Sequence, residues 1–261
     1  GPWAEALQKA LWFFNVNKSG PGVHCTDVQW RGDAHVGDGV IALDPDDPNG
    51  VNLSQAFIDE HRAVLDPDGD GTVDLAGGYH DAGDYIKFTL TTAFAASMIA
   101  WSVYEYPDSY TTTSLLDEAL GQVRWAADYF MKSTFRDADG KLVAFAHQVA
   151  DASDHSCFWM PPEVRRTDLC PRKAYFVHEG RPAADVTAAA AATLALTGIV
   201  TYAHRKTEAD VEYAERCLDY AKALYEFAAR HPEARASDDG GLYTSNSSTD
   251  DLAWAALWIY L

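Results

Sequence analysis

The residues of this chain best suited to chemistry gather in one stretch, Gly77-Gly78-Tyr79-His80-Asp81-Ala82-Gly83-Asp84-Tyr85-Ile86-Lys87-Phe88. Asp81 and Asp84 stand three residues apart, among glycines that let the backbone bend without a Cβ penalty. A rigid turn docked on a helix can hold two carboxylates toward one point, as general acid–base chemistry requires. Taken alone, an Asp-x-x-Asp of this kind is as a rule a solvated turn, or acid placed where a helix N-terminus favours it. The rest of the sequence has to decide.

The turn runs into an apolar stretch of helical period, 88–106, with Phe94, Met98 and Trp101 on one face and Pro107 as its stop. Upstream, residues 3–15 carry Leu7, Ala10, Leu11 and Phe14 at helical spacing. Downstream, Ser114 is expected to cap a helix to about residue 132, with Asp117 at the capping-box position. Asp185 is expected to cap an Ala-rich helix through His204. A further helix covers 208–230, and Asp250-Asp251 opens a last one at 252–261. The stretches 18–76 and 136–182 have no sustained period, and no convincing strand run appears. Long helices alternating with long irregular loops predict an all-α fold whose loops carry function. The last helix is apolar all round, so its burial is expected. The sequence stops inside it without Gly, Pro or a polar cap, which reads as the N-terminal part of a single larger domain spanning 1–261.

The formal net charge of −19 repels nucleic acid and anionic membranes and leaves neutral ligands as the compatible partners. No run is read as long and apolar enough to cross a bilayer, and no charged-then-apolar leader opens the chain. Of the four cysteines, Cys217 falls in a helical stripe as core, while Cys157 and Cys170 flank a polar loop as a disulfide or as metal ligands. His147 is read as a hydrogen-bonding residue rather than a ligand. One acidic turn has a second chemistry. Counting Asp66 as position 1, acids fall at 1, 3, 5 and 9 (Asp66, Asp68, Asp70, Asp74), with Gly71 at 6 and apolar Val73 at 8. Position 12 is Gly77 rather than a bidentate Glu, so the expectation is a calcium-binding loop, not an EF-hand.

Several strings together resemble the glycoside hydrolase family nine cellulases. They are Trp30-Arg31-Gly32-Asp33, the 77–88 stretch, the 101–106 run, Asp154-His155 followed by Trp159 and Pro162-Glu163, Ala174-Tyr175, Asp185 before the Ala-rich helix, and Asp250-Asp251-Leu252-Ala253-Trp254. They occur in family order and span nearly the whole chain. The resemblance implies an (α/α)6 barrel, of which this chain would supply about the first six helices. It also implies inverting hydrolysis of β-1,4-glucosidic bonds in cellulose or related β-glucans, in a secreted protein that carries attached binding or cellulosome modules outside this chain. Such a reaction uses two carboxyl groups roughly 6.5–9.5 Å apart, with a water between base and sugar. By the same resemblance Asp84 is the general base, Asp81 helps hold the water, and His155, Trp159 and Tyr243 contact sugar. The family's acid, a Glu after Asn in an Asp-rich string, has no counterpart here and is expected beyond Leu261. Glu163 and Glu179 do not sit at its place. Tyr85 replaces the His or Asn of many members, and Ala189 stands near where many have Glu. The resemblance further points to calcium at Ser247, Asp250 and Asp251. It also points to a structural zinc on Cys157, Cys170 and His178 with His155 or His204, against the alternative of a disulfide. A different class, a carbohydrate-binding or structural module that holds the sugar groove without turnover, is separated from a hydrolase by whether reducing sugar is released.

Overall fold

Alanine and threonine set the architecture at Ala184–Ala203, because small side chains let neighbouring helices approach from every side. The computed structural model describes residues 1–25, 28–157 and 159–261. Its helices are α1 (Pro2–Asn17), α2 (Gln55–Leu65), α3 (Thr89–Glu105), the short α4 (Pro107–Thr112), α5 (Leu116–Lys132), the single turn α6 (Ala152–His155), α7 (Ala184–Ala203), α8 (Glu208–Arg230) and α9 (Thr249–Tyr260). Helix α7 is buried along almost its whole length and packs against α3, α5, α8 and α9. It is one run long and apolar enough to cross a membrane, which corrects the expectation that none exists. Enclosure by four helices accounts for its composition as core.

The protein is mostly helical, as expected, but the absence of strands is overturned. Strands β1 (Ile41–Ala42) and β2 (Thr72–Val73) pair antiparallel. In a second sheet β5 (Leu142–Val149) pairs antiparallel with β3 (Lys87–Phe88), β4 (Thr134–Arg136) and β6 (Ala174–Val177). Seven of the eight β5 residues are buried, so the strand lacks the polar–apolar alternation that marks a half-exposed one. The 18–76 stretch is likewise no bare loop. Ser54 Oγ accepts from Phe57 N (3.2 Å) to cap α2. A second core of Ile41, Leu43, Val51, Leu53, Ile58, Leu65 and Val73 packs against Ala144, Ala146 and Phe176 of the sheet. Its apolar residues come from scattered positions, so no single period announces it.

Three smaller expectations also change. Ser114 sits at φ 60°, and Leu115 holds the N-cap position of α5. Asp185 lies inside the first turn of α7 and accepts from Ala236 N (3.1 Å), tying the segment after α8 back to the helix. Helix α9 buries Ala255 and Trp258 but leaves Leu257 and Tyr260 exposed, so it is one-sided rather than enclosed. Cys217 is a free, buried thiol, as read.

The α7–α8 contact depends on the absence of a side chain at Gly198, where a Cβ would lie 3.0 Å from Ala214 O and 3.5 Å from Cys217 Cβ. Gly198→Val should therefore destabilise the protein by about 1–3 kcal/mol through overpacking, read as a lower urea midpoint with unchanged m-value.

Candidate active site

The Asp81/Asp84 turn is closed by its own backbone, with Asp81 N donating to Ile86 O (2.9 Å). Its entry needs glycine: Gly78 has φ 73°, and a Cβ there would meet the Tyr129 ring at 2.8 Å. Helix α3 follows at once, and β3 pins the turn to β5. Asp84 is buried and Asp81 partly so. Asp84 Oδ2 accepts from His155 Nδ1 (2.9 Å), while its Oδ1 has no hydrogen-bond partner among the described residues. Asp81 Oδ2 accepts from Tyr243 Oη (2.5 Å). Burial raises the Asp81 carboxyl above its ordinary range, with Asp84 adding to the rise and the hydrogen bonds from Tyr243 and Thr91 opposing it. Each acid thus has a donor on Oδ2, from separate parts of the chain.

His155 and Trp159 come from the segment beginning at α6. Asp151 caps that turn through Ser153 N (2.8 Å). His155 O accepts from Trp159 Nε1 (3.1 Å), and the two rings meet edge to face at 5.9 Å. The Trp159 ring lies against the Asp81/Asp84 turn itself: a Cβ on Gly83 would be 2.4 Å from Trp159 Cζ3. Trp159 is 59% exposed, so a large apolar face stands open beside Asp84. Tyr243 faces Asp81 and packs on Phe88 with ring centroids 5.0 Å apart. The five residues expected for catalysis and sugar contact are linked through these contacts, with Tyr243 engaged on a carboxylate.

Beneath the turn lies a charged group that sequence reasoning missed. Arg172 donates to both oxygens of Asp38 (2.8 and 2.9 Å) and to Tyr85 O (2.8 Å). Lys87 Nζ reaches Asp38 Oδ2 at 2.8 Å and donates to Leu75 O (2.5 Å) and Gly77 O (3.2 Å). Burial alone would raise the Asp38 carboxyl, but Arg172 and Lys87 hold it well below the usual range. Burial pulls Lys87 down to about 8, with Asp38 opposing, so it stays a cation at neutral pH. Asp154 Oδ1 accepts from Tyr85 N (2.9 Å), and its Oδ2 accepts from Arg165 (2.8 Å). His35 and His80, paired at 2.9 Å, are both held neutral by burial and nearby cations. The available signal was Lys87 itself: a lysine between Ile86 and Phe88 in a strand needs a buried partner.

The remaining candidates divide. Asp66, Asp68 and Asp70 bring carboxylate oxygens within 4.8 Å of one another. Asp74 turns away, pairing with Lys132 (2.9 Å) and accepting from Ala76 N (2.9 Å). Ser247, Asp250 and Asp251 line one open cavity near Tyr243, where burial and the charges of Asp250 and Asp185 push Asp251 up to about 7. A hydroxyl and two carboxylates suit a hard cation. Cys157 and Cys170 form a disulfide, and sulfurs bonded to each other are not thiolate ligands. His178 accepts from Gly180 N and packs on Phe57, so the zinc alternative does not fit this arrangement. Glu163 is bound by Arg31 and Gly32 N, which hold its carboxyl low against the effect of burial. Glu179 is held low by Arg230 and His231. His147 pairs with Asp238 (2.9 Å), a hydrogen-bonding role as read.

The model of the family described as glycosyl hydrolase family 9 matches residues 3–261. Among curated proteins, Endoglucanase 14 of Oryza sativa subsp. japonica is 35% identical, covering 99% of this chain and 48% of that protein. Endoglucanase A of Bacillus pumilus is 33% identical over 99% of this chain and 34% of its own length. Among solved structures, the catalytic domain of Clostridium thermocellum CelT superposes with a TM-score of 0.90 at 41% identity, covering 99% of this chain and 51% of that one. Endoglucanase CelQ from Clostridium thermocellum complexed with cellotetraose gives a TM-score of 0.70 at 26% identity, covering 99% of this chain and 34% of that one. The chain thus spans from about a third to about half the length of these relatives.

Asp38 holds two buried cations. Asp38→Asn should leave Arg172 and Lys87 uncompensated and cost about 3–5 kcal/mol, measured as the loss of unfolding free energy in urea.

Proposed function

The chain belongs to glycosyl hydrolase family 9, and from that premise we propose that its protein hydrolyses β-1,4-glucosidic bonds of a β-glucan with inversion, Asp84 acting as general base. The observation that carries this is the paired tethering of the two acids. His155 holds one oxygen of Asp84, leaving Oδ1 as an acceptor with no competing donor among the described residues. Tyr243 holds Asp81 beside it. A water between them would give a proton to Asp84 and attack the anomeric carbon, while Asp81 orients it. An acid on the opposite face of the sugar completes an inverting reaction. Glu163 and Glu179 are held as carboxylates by cations, so neither suits that role, and we assign the acid to a Glu outside residues 1–261. We take the helices of this chain as about the first six of an (α/α)6 barrel. Trp159, open beside Asp84, suits stacking on a pyranose face, which contributes on the order of 1 kcal/mol beyond area burial. The Cys157–Cys170 disulfide supports a secreted setting.

Asp84→Asn in the complete protein should lower kcat on a soluble β-glucan by about 10²–10⁴-fold while cello-oligosaccharide binding persists. Near-normal release of reducing sugar would remove Asp84 from the role of base. Binding with no release even by the unaltered protein would mark a binding module instead.

A pH profile tests the Asp81–Tyr243 bond. The Tyr243 hydroxyl favours the ionised form of a carboxyl that burial has already raised. Tyr243→Phe removes that stabilisation, so Asp81 takes up its proton at a higher pH. The acid limb of kcat/KM should move upward, and a shift downward or none would exclude ionised Asp81 from the working state.

A further inference from the structure

We propose that the turn between α2 and β2 is a calcium site built by Asp66, Asp68 and Asp70, without Asp74. Three carboxylates bring oxygens within 4.8 Å of one another there. Such a cluster alone is commonplace on acidic surfaces. What distinguishes this one is Asp66, which is only 6% exposed and whose Oδ1 is buried with no hydrogen-bond partner among the described residues. A buried, unpaired carboxylate oxygen is costly unless something positive meets it. The nearest fixed cation is Arg62, one turn back on α2, but it stands 3.7 Å from the other oxygen, Oδ2, which also accepts from Gly71 N (3.1 Å). Asp70 spends Oδ1 on Thr72 N and Thr72 Oγ1 (2.8 and 2.7 Å), and no hydrogen bond engages its Oδ2 among the described residues. Asp68 and Asp70 are exposed.

All-oxygen, mostly carboxylate donors on an irregular turn with two exposed acids match a hard cation that tolerates irregular coordination, which is calcium rather than magnesium. Three carboxylates facing one guanidinium, with no bidentate Glu, place the affinity in the weak extracellular class, about 10⁻⁴–10⁻³ M. The site is independent of the hydrolytic chemistry but joined to it mechanically. The chain leaves this turn through β2 into Leu75, Ala76 and Gly77, whose carbonyls are gripped by Lys87 and by Lys132 (3.0 Å from Ala76 O). Ion binding therefore stiffens the approach to the catalytic turn.

The experiment is calorimetric titration of chelator-stripped complete protein with calcium chloride, with thermal unfolding in parallel. The variants are Asp68→Asn/Asp70→Asn, whose exposed side chains make misfolding no concern, and Asp250→Asn/Asp251→Asn as a control at the other acidic cavity. The loop variant should bind one calcium equivalent fewer than the unaltered protein and lose the matching part of the calcium-induced rise in Tm. The control should keep that equivalent. Unchanged stoichiometry and Tm response in the loop variant would overturn the site, as would no saturable binding by the unaltered protein up to 10 mM calcium, roughly tenfold above the expected range. Magnesium binding as tightly as calcium at this turn would overturn the choice of ion.

Discussion

The buried carboxylate of Asp38 is the constraint on which the Asp81/Asp84 turn rests. It lies in the 18–76 stretch, yet it neutralises Arg172 from the far side of the disulfide loop and Lys87 from β3. Through those two cations it fixes the carbonyls of Leu75, Gly77 and Tyr85, at the entry and exit of the Asp81/Asp84 turn. Buried ion groups of this kind add little net stability against an apolar replacement, but they are unforgiving of geometry. A carboxylate facing a planar guanidinium accepts two bonds in one orientation only. Three segments distant in sequence are thereby held in a single register under the site.

That arrangement divides the labour within the protein. The helical layer around α7 is apolar and small-residue packed, a rigid wall. The irregular segments and the four-stranded sheet carry the polar chemistry and have their own core. The acids stand where the two meet, just ahead of β3 and α3 in the chain. Their partners arrive from separate segments, His155 from beyond β5 and Tyr243 from the stretch between α8 and α9.

Much of this was legible in the sequence. Helices α3, α5 and α8 announce themselves by period, α7 by its run of alanines after Asp185, and the Asp81/Asp84 turn by its glycines. Several tertiary features were not. Strand β5 is buried on both faces, so it carries no alternation to separate it from other short apolar runs. Asp38 and Arg172 are 134 residues apart, and nothing local marks either as buried. Tyr243 was found by its resemblance to a sugar-contacting aromatic, but its hydroxyl binds Asp81, a pairing that only the packed structure reveals. The disulfide and the withdrawal of Asp74 toward Lys132 are likewise tertiary outcomes.

Gly83 carries a consequence for how such a site can diverge. The Trp159 ring occupies the space into which any side chain at position 83 would grow. Even a methyl group must lift the indole, so no graded series of substitutions leads away from glycine. The residue offers a ligand no side-chain contact, yet it sets the height of the aromatic shelf above Asp84. On the proposed reading, the alignment of a flat ligand with the carboxylates is in that sense written at a position with no side chain. Drift in selectivity at this shelf would then come as a jump rather than a slope.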